Sequence, residues 1–310
     1  MASPIAFIDR FRQELHAAGI RFFITSGQAC VHFGIQQTTK DSDWIIEPDD
    51  LAALRTMLVE ADSSGTVRAS YRAICGAPLD GTFLANGWTS HLEITDADSD
   101  EHHLDLFGKA PRVSELERDT NEPDFASRQV VAQMKKTDRE KDWPIVFGLG
   151  RQAVASGDVR GILHGQDADW LVATWSDIPA DERGELIRWR PLLGLIATQP
   201  NRLRRAIAIE KQVWVSVNRA RYGVYQRSWK SFFRQWRRED GFQWPPDVPF
   251  AQQHELLDQA ARKYGLPQAP LGTAARDNAL AAARADAAEI LAAGDEELDL
   301  IVPPLEMLLP

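Results

Sequence analysis

Residues 41–46, "DSDWII", set two like charges one residue apart at the head of an apolar run. Side chains alternate between the faces of a β-strand, so Asp41 and Asp43 share one face while Ser42 points the other way. Two carboxylates about 7 Å apart on one face repel each other unless a cation or a proton is shared between them. The sheet holding this strand therefore needs one face built for charge. Hard cations such as Mg²⁺ favour carboxylate oxygens and keep positions for substrate phosphates, which makes the pair a metal-site candidate. A solvated strand edge or a helix cap is the other use of an isolated D-x-D.

The neighbouring segments supply the rest of such a sheet. Residues 21–25 read as a short apolar strand, residues 28–33 as a short helix closed by Gly34, and residues 48–61 as a helix opened by Pro48-Asp49-Asp50. Acids there suit the positive helix N-terminus. Residues 89–95 ("TSHLEIT") and 102–107 ("HHLDLF") alternate polar and apolar positions around the turn "DADSDE", the pattern of an antiparallel hairpin. The expected fold class is α+β: a mixed β-sheet flanked by helices, followed by a mainly helical C-terminal domain. Strand signals fade after Asp124, and helices are expected over 126–134, 143–154, 167–175, 181–197, 199 into the 230s, 251–264 and 274–293. With 310 residues the chain has room for two domains, and the seam is expected near residue 150, giving domains 1–150 and 151–310.

Hydrophobic residues at 44% and charged residues at 26% are ordinary for a soluble globular chain. The charged N-terminus reads as an amphipathic helix and not a signal peptide, and no apolar run reaches about 18 residues, so a cytoplasmic protein without a membrane span is expected. Cys30 and Cys75 lie in apolar contexts without metal-ligand spacing, which points to reduced thiols, with a disulfide as the alternative. The net charge of −10 argues against a uniformly basic surface but hides a local exception. Residues 199–240 hold eleven Lys or Arg against three acids, a net +8 that leaves −18 for the remainder.

A third carboxylate would complete a metal site. The hairpin offers Glu93 and Asp105, and Asp105 is preferred because Leu104 and Leu106 beside it face the buried side and define its direction. Glu93 either neighbours it across the hairpin or pairs with a histidine. Upstream, Ser26-Gly27 ends a strand and opens a helix, where backbone N–H groups and a missing side chain let a phosphate approach.

Strand, small-residue turn, helix, D-x-D strand and a later lone aspartate together resemble the nucleotidyltransferase fold of the DNA polymerase beta superfamily. More narrowly, "ITSGQACVHFGIQQTTKDSDWII" is similar to bacterial abortive-infection and toxin-type nucleotidyltransferases of the AbiEii kind, through Ser26, Gly27, Gln28, Ala29, Gly34, Thr39, Asp41 and Asp43. The R-x-K-D element of that family is matched by Arg139, Lys141 and Asp142, with Lys135 and Lys136 just upstream. The likeness covers about residues 20–150. It departs at Ser26, where the family usually has Gly, at Gln37, where Arg is common, at Ser42, where an apolar residue is usual, and at Ile145, where Asp is frequent.

The resemblance implies a Mg²⁺-dependent transfer of a nucleoside monophosphate from a nucleoside triphosphate to an acceptor. Asp41, Asp43 and Asp105 would be the metal-binding and catalytic residues, and Ser26, Gly27, Thr39, Lys135, Lys136, Arg139 and Lys141 would bind the nucleotide. The acceptor implied is tRNA or another RNA, or a protein side chain, with a small hydroxylated molecule such as an aminoglycoside a further reading. A toxin role with a cognate antitoxin protein is implied too. The rival expectation is a binding protein that keeps the fold without catalysis.

The basic segment, residues 202–238, also carries aromatic residues. Tyr225, Trp229, Phe232 and Trp236 fall at i, i+4, i+7 and i+11, one helix face that is expected to pack inward. The cations would then serve as a track for an RNA backbone, as ion-pair partners for the acidic remainder, or as a protein contact. His102 and His103 are expected at a surface or strand edge, and His32 packed or capped.

Overall fold

The structure, a computed structural model, describes residues 4–241 and 243–310; the side chains of residues 4–6 and of Asp41 lie outside that description. Helix α1 (Pro4–Ala17) leads into β1 (Phe22–Thr25), the short helix α2 (Ser26–His32) and β2 (Asp41–Ile46). Then follow α3 (Leu51–Ser63), β3 (Val67–Tyr71), α4 (Gly81–Leu84) and the hairpin β4 (Thr89–Asp96) and β5 (Glu101–Phe107). The five strands form one sheet in the order β1-β2-β5-β4-β3. It is mixed: β2 and β5 run parallel, and the other three pairings are antiparallel. Alternation builds the core, because Ser42, Trp44, Ile46, Leu92, Ile94, Leu104 and Leu106 are all buried while the residues between the last four are partly exposed.

The chain continues through α5 (Arg128–Met134), α6 (Trp143–Ala155), α7 (Ala168–Asp177), α8 (Ala180–Trp189), α9 (Leu195–Thr198), the 38-residue α10 (Leu203–Asp240), α11 (Phe250–Lys263) and α12 (Thr273–Leu291). Arg190-Pro191 separates α8 from α9, where one helix over 181–197 was expected, since a proline cannot donate the helical hydrogen bond. No helix is long and apolar enough to cross a membrane among the described residues. Both cysteines are free thiols, Cys30 buried and Cys75 half-buried.

Two compact units emerge, and both are discontinuous. Unit 1 comprises residues 1–110, 122–125 and 224–271; unit 2 comprises 111–121, 126–223 and 272–310. A single seam near residue 150 would fall inside α6. The division instead passes through α10, between Gly223 and Val224. Specific bonds account for the returns to unit 1. The Ile24 N–H donates to the Asp124 carbonyl at 2.7 Å, and Arg12 holds the Asp124 carboxylate. Asp62 accepts from the N–H groups of both Ala69 and Phe250, and Gln253 Oε1 accepts from Tyr71 N, which fastens α11 onto β3.

A half-buried histidine makes unit 1 sensitive to acid. Arg55 Nη1 can only donate, so at 3.1 Å the His254 Nε2 is an acceptor, and the proton sits on Nδ1, 2.7 Å from Tyr71 Oη. Burial, assisted by the Arg55 charge, lowers the imidazole from 6.5 to about 4. Between those values the unfolded chain binds the proton and the folded chain does not, so stability falls as pH drops from 6.5 toward 4, by up to about 3 kcal/mol. Urea denaturation across that range should show the loss in the parent and not in His254→Gln. Equal slopes would contradict it.

Candidate functional site

Strand pairing brings the acidic residues together. Asp43 on β2 is in register with Asp105 on β5, Asp105 with His91 on β4, and Asp43 with Thr25 on β1. Register partners share a sheet face, so Thr25, Asp43, Asp105 and His91 form one row across four strands. The next row holds Asp41, His103 and Glu93. For Asp41 the backbone fixes this place in the sheet; its side chain is outside the described residues. The leucines beside Asp105 are fully buried on the opposite face, which turns its carboxylate toward the charged one.

Asp105 is engaged on one oxygen. Its Oδ1 lies 2.7 Å from His91 Nδ1 and 3.7 Å from Arg72 Nη1. A carboxylate only accepts, so His91 donates through Nδ1. Gly76 packs against that ring: a Cβ there would sit 2.9 Å from His91 Cδ2 and 2.8 Å from the Thr89 carbonyl. The imidazole is therefore held in place. Oδ2 of Asp105 makes no hydrogen bond among the described residues. Glu93 takes the ordinary cross-strand role, 3.7 Å from His103. His102 is buried, stacked on Phe7 with centroids 4.0 Å apart and 3.1 Å from Asp96, instead of lying at the surface; β5 turns it toward the side that α1 covers. His32 stacks on Phe125.

At the end of β1, Ser26 has φ +52° and begins α2. The left-handed region costs an ordinary residue about 1–2 kcal/mol, and glycine escapes that cost. Gly27 next to it is required for packing, because a Cβ would collide with the Thr39 hydroxyl. That contact ties the turn to the segment leading into Asp41. Thr25, Ser26, Gly27 and Thr39 thus flank the acidic row from the β1 side through Asp43.

The expected phosphate cations all belong to unit 2. Lys135 and Lys136 are buried. Lys136 Nζ donates to the Leu163 carbonyl at 3.2 Å and lies 4.6 Å from the Trp214 ring centre, and burial pulls it down to about 7. Arg139 pairs with Asp142 at 2.8 Å, and Lys141 is exposed. The R-x-K-D element is thereby partly internal: its Asp142 is 1% exposed and also takes the Thr137 hydroxyl.

Two residues at the acidic row, His91 and Arg72, escaped the sequence reading. His91 was legible in principle, since the hairpin register opposes it to Asp105. Arg72 was missed together with β3, the strand it follows, although the short run "VRASY" alternates apolar and polar residues.

The aromatic face of α10 packs inward as expected. Tyr225, Phe232 and Trp236 are buried, Tyr225 Oη donates to the Asn86 carbonyl, and Trp229 stacks on Phe233. The cations divide in two. Arg204, Arg205, Lys211 and Arg219 pair with Asp169, Glu297, Glu140 and Asp138 within unit 2. Arg227, Lys230, Arg234 and Arg237 follow three- and four-residue steps along one helix face and are all exposed.

Compared with protein families, with curated proteins and with solved structures, the chain matches none.

Proposed function

We propose that unit 1 is a Mg²⁺-dependent nucleotidyltransferase that moves a nucleoside monophosphate from a nucleoside triphosphate to an acceptor hydroxyl on tRNA, another RNA or a protein. The observation that supports this most is the registration of Asp43 with Asp105 on adjacent parallel strands, with Asp41 two residues before Asp43. The donor set suits a hard divalent cation, because both carboxylates face one way and Asp105 retains an uncommitted oxygen. Mg²⁺ held by Asp41, Asp43 and Asp105 would neutralise charge on the triphosphate. Asp105, backed by His91, takes the proton of the acceptor hydroxyl. Ser26, Gly27 and Thr39 lie where the terminal phosphates would be held. The resemblance to toxin-type members extends the proposal to a toxin–antitoxin or phage-defence role with a cognate antitoxin.

One observation favours a second reading, a binding protein without catalysis. Asp105 is already bonded by His91 with Arg72 3.7 Å away, and no group of three His, Cys, Asp or Glu side chains converges as a metal site among the described residues, which exclude the Asp41 side chain. A calorimetric titration separates the two: the enzyme reading requires a nucleoside triphosphate to bind more tightly with Mg²⁺ than without it. Equal affinity sinks that reading.

The exposed cation stripe on α10 supports an RNA acceptor. Single-stranded RNA loses affinity with salt at a slope of about 0.7 per neutralised phosphate, so replacing Arg227, Lys230, Arg234 and Arg237 by glutamine should cut the log–log slope by about 3. Filter binding from about 50 to 200 mM salt measures it. An unchanged slope removes the stripe from any RNA contact.

A further inference from the structure

Register extends the acidic row by one strand. Arg72 follows β3 directly, and its N–H donates to the His91 carbonyl at 2.9 Å, one step on from the pairing of Tyr71 with Leu92. Arg72 therefore shares the face of His91, Asp105 and Asp43, in the same unit of the chain. Two strand spacings, about 10 Å, separate its backbone from that of Asp105. The guanidinium nevertheless stands 3.7 Å from Asp105 Oδ1, so the side chain is stretched across the His91 strand onto the row.

Little in the protein itself holds it there. A charge-assisted hydrogen bond from arginine to a carboxylate is about 2.7–2.9 Å long, and the 3.7 Å contact is not one. His91 already takes Oδ1 at 2.7 Å. No nitrogen of the Arg72 guanidinium donates a hydrogen bond among the described residues, and with 26% of the side chain exposed the ion contact is worth little. Other arginines of unit 1 behave differently: Arg12 grips Asp124 and Glu122, and Arg21 grips Asp50, through side-chain hydrogen bonds. Arg72 thus presents a planar fork of N–H donors over the row without a partner that uses it.

Such a fork matches phosphate, which arginine recognises through two parallel N–H···O bonds. The cations expected for the phosphates, Lys135, Lys136, Arg139 and Lys141, lie in unit 2, whereas Arg72 belongs to unit 1 with the carboxylates. Ser26, Gly27 and Thr39 flank the row from β1, at Asp43; Arg72 enters from β3, at Asp105. In the proposed transfer Asp105 takes the acceptor proton, so the phosphoryl group that moves lies beside it. We propose that Arg72 is a catalytic residue that binds the non-bridging oxygens of the α-phosphate and offsets the charge they gain as the acceptor attacks. The inference rests on the reading of unit 1 as a nucleotidyltransferase.

The probes are the uncleavable α,β-methylene analogues of the four ribonucleoside triphosphates and the matching monophosphates, titrated with Mg²⁺ into the full chain by calorimetry. Arg72→Gln should weaken the tightest-bound analogue and its monophosphate alike, by about tenfold, because the α-phosphate is common to both. Arg72→Lys, which keeps the charge and loses the fork, should fall between. Mn²⁺ bound by the protein alone, read by electron paramagnetic resonance, should be held at least as tightly in Arg72→Gln, since a competing cation is gone. Unchanged affinity for either nucleotide in Arg72→Gln, or a monophosphate that the parent does not bind, overturns the inference and leaves the transferase reading in place. Loss of Mn²⁺ binding in Arg72→Gln does the same, by marking a merely structural role. A parent that binds no analogue, or binds none more tightly with Mg²⁺ than without it, overturns both.

Discussion

Asp43→Asn and Asp105→Asn should each lower nucleotidyl transfer by about a thousandfold while leaving the fold intact. Asparagine keeps the shape and a hydrogen-bonding carbonyl but removes the charge that a divalent cation needs. Metal-derived charge stabilisation supplies several kcal/mol, and each 1.4 kcal/mol is about tenfold in rate. At Asp105 the loss has a second source, because the neutral amide also fails as a proton acceptor for the substrate hydroxyl. The ion contact to Arg72 and the bond from His91 would be weakened with it, yet both partners are part-exposed and reach solvent. Steady-state transfer at saturating Mg²⁺ is the measurement, with circular dichroism to show that the sheet persists. Activity within tenfold of the parent for both variants would remove these residues from the chemistry.

The second large effect concerns stability. Glu210→Ala should cost about 3–5 kcal/mol, because it strands a buried guanidinium. Arg190 and Glu210 are 2% and 3% exposed, joined at 3.0 Å through Nε to Oε1 and 2.7 Å through Nη2 to Oε2, and Arg190 Nη1 also donates to the Ile162 carbonyl. Lys136 lies near enough to feel the Glu210 charge, so the loss leaves two cations facing each other in the interior. Replacing both members by apolar residues, Arg190→Met with Glu210→Leu, should recover most of the deficit. Urea denaturation of the three proteins tests it, and a loss below about 1 kcal/mol in Glu210→Ala would show the pair to be hydrated.

Much of unit 1 was readable where one local signal decided the outcome. The run ending at Thr25, the D-x-D strand and the alternating hairpin all appear where their period placed them, and with them the register of Asp43 with Asp105. What stayed hidden depended on contacts distant in the chain. β3 is fixed by β4 pairing with it and α11 covering it; "VRASY" does alternate apolar and polar residues, but five residues of alternation are too short to decide a strand alone. The discontinuity of the units follows from Asp124 returning to Ile24 and from the half of α10 beyond Gly223, neither of which has a compositional mark. Gly27 shows the limit of motif reading most sharply. A glycine at a strand-to-helix turn suits a phosphate, but here the same residue is already demanded by Thr39. Likewise the eleven cations of residues 199–240 looked like one patch, whereas partners on other segments take up its first half and leave the second exposed.

The central claim is that the acidic row drives Mg²⁺-dependent transfer from a nucleoside triphosphate. Incubating the protein with each labelled nucleoside triphosphate, Mg²⁺ and a total extract of RNA and protein tests it directly. The expected result is label in the RNA or protein fraction that requires Mg²⁺ and disappears in Asp43→Asn. Label in neither fraction with any of the nucleotides, or label that persists unchanged in Asp43→Asn, would contradict it.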